Sequence, residues 1–144
     1  KHALPHHRTI LAVLQDPKVK LRESMHRFVN TLASIFPGRS YLANSPLLVP
    51  AMEEAFFAET RPLCQGSLFK VSPKPAFVRR VEHLLGSLQK LSLRRALQSQ
   101  MIISGKLIPW LVATLAQPDN LSDYVLEYSA ALLMNLCLIL IECI

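Results

Sequence analysis

The chain has 144 residues, 51% of them hydrophobic, with four glycines and a net charge of +6. That length and apolar content exclude a disordered chain and allow a sizeable core without disulfides or metal. Scarce glycine amid abundant Leu, Ala and Ser favours an all-helical protein, and the positive charge points to acidic partners such as tubulin tails, nucleic acid or anionic lipid.

The first stretch, "KHALPHHRTI", opens on Lys1 rather than Met, which predicts an excised piece or an incomplete sequence. It lacks the pattern of a secretory leader. His2, His6 and His7 have no Cys, Asp or further His nearby to complete a coordination set, so no metal is expected. The three cysteines, Cys64, Cys137 and Cys143, are odd in number and lack metal-site spacing, which fits a reducing, cytoplasmic setting.

Three segments then share one phase. "ESMHRFVNTLAS" from Glu23, "EHLLGSLQKLSL" from Glu82 and "EYSAALLMNLCL" from Glu127 each start with Glu and place a Leu nine residues on: Leu32, Leu91 and Leu136. Met25, Phe28, Val29 and Leu32 in the first, and Leu84, Leu88 and Leu91 in the second, recur at helical steps and predict wide apolar faces. An apolar helix precedes the first and third, ended by Pro17 or Pro118 beside an Asp. Asp119, Asn120 or Ser122 can cap the last helix, and Gly105 marks a break before the helix near Leu107. His26 and His83 fall at different phases and are expected to be partly exposed. Trp110, at a helix start after Pro109, is expected to pack on an adjoining repeat.

Between the first and second segments lies a Pro- and Gly-rich inserted loop at about 60–76, holding Arg61, Lys70 and Lys74. It accounts for the offset of 59 positions from Glu23 to Glu82, against 45 from Glu82 to Glu127. The latter falls within the roughly 40–47 residues of an armadillo or HEAT repeat. The closing run "YSAALLMNLCLILIECI" offers about fifteen apolar residues, short of the roughly 20 a membrane span needs. Asn135 and Glu142 would be costly in lipid. It reads as a core helix whose packing neighbour is missing; a tail anchor is the competing reading. The expected fold is an all-α, armadillo/HEAT-like α-solenoid superhelix over residues 1–144, about three repeats with incomplete ends.

"GKLIPWLVATLAQPDNLSDYVLEYSAALLMNLC" resembles the armadillo consensus in its Gly, Leu-Val, Pro-Asp and Asn-Leu positions. "RFVNTLASIFPGRSYL", "LLGSLQKLSLRRALQSQMI" and "LSDYVLEYSAALLMNLCL" resemble the armadillo region of the LisH-domain-containing armadillo repeat protein nine family, over roughly residues 8 to 138. The loop around Cys64 to Pro75 looks expanded and "ILIECI" departs from the family's polar continuation. The resemblance implies a non-enzymatic protein of the cytoplasm and cytoskeleton, at the ciliary basal body and centriole, acting with protein partners in cilium assembly and stability. The family's LisH motif and coiled coil have no counterpart in these residues, so self-association is not assigned.

Peptide-binding armadillo arrays, such as nuclear-transport adaptors, hold an extended ligand by an Asn ladder, because an amide both donates and accepts. Asn30 and Gln89 share a phase, seven residues after their Glu; Asn135 lies one position off. These amides either line such a groove or satisfy hydrogen bonds between helices. Arg94 and Arg95 follow the second long helix, where they favour its C-terminal dipole or, with Lys90, bind an acidic segment. The basic residues are not interleaved with aromatics as single-strand binders require, so no nucleic-acid partner is expected. Ser24, Cys64 and His26 form no nucleophile motif and no loop cradles phosphate, so neither enzyme activity nor a cofactor is expected.

Overall fold

The computed structural model describes residues 5–60 and 75–142. Its elements are α1 (Pro5–Leu14), α2 (Val19–Ala33), α3 (Phe36–Ala43), α4 (Leu48–Thr60), α5 (Pro75–Leu91), α6 (Arg95–Ser104), α7 (Leu107–Leu115), a 3-10 turn (Pro118–Asn120) and α8 (Asp123–Glu142). The predicted loop therefore begins where α4 ends, and its last residues already belong to α5. Cys64, Arg61, Lys70 and Lys74 lie outside the described residues, as do His2 and Cys143.

The helices stack as an armadillo-type α-solenoid. One layer is α1 with α2, the next α3 to α5, the third α6 to α8. The longest helix of each layer packs beside its counterpart, so that α5 lies between α2 and α8. Leu84, Leu85, Leu88 and Leu91 on α5 are all fully buried. Each such side chain contributes roughly 1.5–3 kcal/mol relative to an exposed one. Leu136 is equally buried and Leu32 is partly buried against the same core, so the three equivalent leucines lie along one apolar spine. The second helices interlock as well: Trp110 of α7 meets Phe56 of α4 edge to face at 4.7 Å.

Local chemistry sets the boundaries. Asp16 Oδ1 accepts from the Lys18 amide at 2.8 Å in the Pro17 turn, and Ser122 Oγ accepts from the Val125 amide at 3.2 Å to cap α8. Gly105 ends α6 with φ +68°, the left-handed conformation for which glycine is suited. Gly38 lets α3 cross the end of α2: a Cβ there would lie 1.9 Å from the Leu32 carbonyl oxygen.

Three readings of the sequence need correction. The inner face of α2 carries His26, Val29 and Ala33, while Phe28 is 51% exposed. A rotation of about 100° per residue carries Phe28 to the flank once Val29 points inward. His26 is accordingly buried rather than partly exposed. His7 is buried too, edge-on to Tyr41 with ring centroids 4.5 Å apart. Finally, α8 is 20 residues long, with hydropathy high enough to cross a membrane by length and composition. The argument from shortness fails because polar residues from Asp123 onward extend the helix. Its inner side, Val125, Ser129, Leu132, Leu136 and Ile139, is nonetheless packed against the other helices, while Met134, Leu138 and Ile141 face outward.

Candidate protein-interaction surface

The side-by-side arrangement of α2, α5 and α8 brings several of the singled-out residues together. Asn30 of α2 is the hub. Its Oδ1 accepts from Lys90 Nζ at 2.8 Å, and its Nδ2 donates to His83 Nδ1 at 3.4 Å. The Tyr124 hydroxyl of α8 approaches the same side chain across the middle helix. Lys90 Nζ also donates to Ser34 Oγ at 2.9 Å. This crossing requires Gly86: a Cβ there would lie 2.3 Å from the Tyr124 oxygen and 3.0 Å from Asn30 Oδ1.

The electrostatics follow from half-burial. Desolvation lowers the Lys90 pKa, and the neighbouring Arg39 cation lowers it further. Burial, with Arg27 next, lowers that of His83, favouring the neutral ring that can accept from Asn30. Burial raises the Tyr124 phenol. Each shift favours the less charged form of a group held between helices.

Asn135 is engaged one layer on. Its Nδ2 donates to Ser92 Oγ at 2.9 Å, and its backbone carbonyl accepts from Gln98 Nε2. Gln89 is half-exposed on the same row, its carbonyl accepting from Ser92 Oγ. The position equivalent to Asn30 and Gln89 on α8 is Met134, an exposed apolar residue. Asn30 and Asn135 thus fasten helices, whereas no hydrogen bond involves the Gln89 amide among the described residues.

The arginines sit differently from the dipole argument. Arg94 is the residue preceding α6 and Arg95 its first residue, so both stand at a helix N-terminus, where a cation gains nothing from the dipole. Other contacts compensate: Arg94 lies over the Phe36 ring at 5.3 Å, and Arg95 pairs with Glu142 of α8 at 2.8 Å. The sequence reading missed Tyr124, His83 and Ser34 as members of the network. Gly86, a helix-interior glycine, was the available signal of a close approach.

A cleft of about 400 Å3 at the junction of α1, α2 and α4 is lined by residues including Gln15, Arg22, His26, Glu54 and Glu59. Glu59 is held between Arg22 at 3.7 Å and Arg80 at 3.1 Å, tying α2, α4 and α5 together. Among the described residues no grouping of three or more His, Cys, Asp or Glu is placed to hold a metal ion.

A family profile described as "LisH domain-containing protein ARMC9, ARM repeats" matches residues 101–140, which cover the end of α6, all of α7 and most of α8. The protein of that name from Bos taurus is 44% identical over 131 residues, covering 91% of this chain and 17% of the relative. Those from Homo sapiens and Danio rerio are 45% and 41% identical over the same length, covering 91% of this chain and 14% of each relative. Over this segment the chain is similar to the ARM-repeat region of ARMC9 proteins. It spans only 14–17% of the length of these relatives. No solved structure matches it. The ARMC9 profile ends at Leu140, inside α8, so Arg95 is paired with a residue just beyond the matched span.

Proposed function

We propose that this chain is a non-enzymatic scaffold segment that presents a surface to other proteins at the ciliary basal body and centriole, in support of cilium assembly and stability. The observation that carries the binding role is the continuous row formed by α2, α5 and α8. It is held in register by Asn30, Lys90 and Tyr124, leaving Gln89 and flanking side chains available. The ciliary and cytoskeletal placement rests on kinship with the ARMC9 family. A nuclear-transport type of peptide groove is the weaker reading, because Asn30 already spends its amide on neighbouring helices and the third equivalent position is Met134. Proximity labelling by the full-length protein in ciliated cells tests the placement. Recovery of basal-body and centriolar proteins is expected; labelling confined to nuclear-transport factors reverses the choice.

A further inference from the structure

One edge of the solenoid is both cationic and apolar. It forms where the turn from α2 to α3 meets the turn from α5 to α6. Ile35, Phe36 and Leu93 project there, 55%, 61% and 56% exposed. Arg94 lies over the Phe36 ring, and Lys90 reaches Ser34 beside Ile35. Arg39 donates to the Ala33 carbonyl at 2.9 Å and lies close enough for its charge to act on Lys90. None of Arg39, Lys90 and Arg94 is ion-paired among the described residues. The sequence contains no Asp or Glu from Ser24 to Met52 or from His83 to Pro118. Among the described residues, the neighbouring Arg95 pairs with Glu142 of α8.

From this juxtaposition we infer that the edge is a docking site for an acidic protein segment carrying an aromatic or aliphatic anchor, its carboxylate bound by Arg94 and its apolar side chain seated against Phe36 and Leu93. The inference rests on the scaffold reading above and names the chemistry of its partner. A guanidinium lying on a ring keeps its in-plane donors for a carboxylate, which it grips in bidentate fashion. Three unpaired cations are few for a polyanion. Anionic lipid recognition draws on clusters of roughly 4–8 basic residues, and duplex nucleic acid on about 6–10 phosphate contacts. A single carboxylate needs one arginine. The flanking apolar side chains, each more than half exposed, supply the water-excluding part that a purely charged contact lacks.

The test titrates full-length protein with a labelled peptide of alternating Glu and Leu around one Phe. An all-Glu/Ser peptide, phosphatidylserine vesicles and an oligonucleotide are run alongside. Preferential binding of the Glu/Leu/Phe peptide is expected, weakened on the order of tenfold by Arg94→Ala and by Phe36→Ala. Arg94→Lys should recover only part of the loss, since it restores charge without planarity. Both side chains lie at the surface, and thermal melts identify any variant that unfolds; for those, Leu93→Ser replaces the substitution. Equal affinity for the Glu/Ser peptide, preference for vesicles or oligonucleotide, or affinity unchanged by every variant would overturn the inference. Proximity labelling with the wild-type protein separates the two readings: basal-body recovery with peptide binding unaffected by every variant sinks the edge alone, whereas variant-sensitive peptide binding without that recovery sinks the placement alone.

Discussion

His26 shows most directly how a single side chain sets a measurable property. Its ring is fully buried, and neither nitrogen has a hydrogen-bond partner among the described residues. Burial, then the charges of Arg22, His83 and Arg80, lower its pKa from 6.5 to about 4. Between those values the unfolded chain takes up a proton that the folded chain refuses. Stability is therefore fully present above the unfolded value, falls as pH drops through the window, and levels off below about 4. The loss amounts to roughly 3 kcal/mol. Urea denaturation across this range should show that limb flattened in His26→Leu, with a residual slope from His83, whose pKa is also lowered. An unchanged slope would mean that the imidazole is hydrated. The sequence could not reveal this burial, because the stripe of Met25, Phe28, Val29 and Leu32 competes with that of His26, Val29 and Ala33 on the same helix. The two differ by a rotation that only the neighbouring helices decide.

Element by element, the punctuation was legible and the partners were not. Pro17, Gly105, Pro118 and Ser122 mark helix ends in the sequence because each acts through its own backbone or the amide three residues on. Ser122 does more than cap: its hydroxyl donates to Glu82 Oε1 at 2.9 Å, tying the start of α8 to α5. Ser122→Ala should consequently cost about 1–2 kcal/mol. Glu82→Gln, which leaves the cap and can still accept from the hydroxyl, should cost less. Chemical denaturation of the two variants distinguishes them, and equal losses would refute the dual role. The amides were legible as candidates, yet their roles depend on distances across helices 43 to 60 positions apart in sequence. Arg94 and Arg95 read in the sequence as following α5 because the three-residue turn before α6 leaves no composition signal; their real company, Phe36 and Glu142, is remote in the chain.

For the whole molecule, repeat phase gave the order of stacking, since equivalent leucines must meet when equivalent helices do. What phase could not give is which helix bears the most. The structure assigns that to α5, enclosed by α2, α4 and α8. Hydrogen exchange should accordingly be slowest along Leu84–Leu91 and fastest in α1, which packs chiefly on α2 and α4. Leu88→Ala should destabilise by about 2–5 kcal/mol and accelerate exchange in α2 and α8 together. Acceleration confined to α5 would show that the layers melt independently.

The amide of Asn30 touches all three long helices while standing outside the oily spine. Such a fastener governs relative twist as well as cohesion. Exchanging it for a residue of another length would alter how these helices sit against one another and strip Lys90 and His83 of this partner, at a cost of about 1–3 kcal/mol.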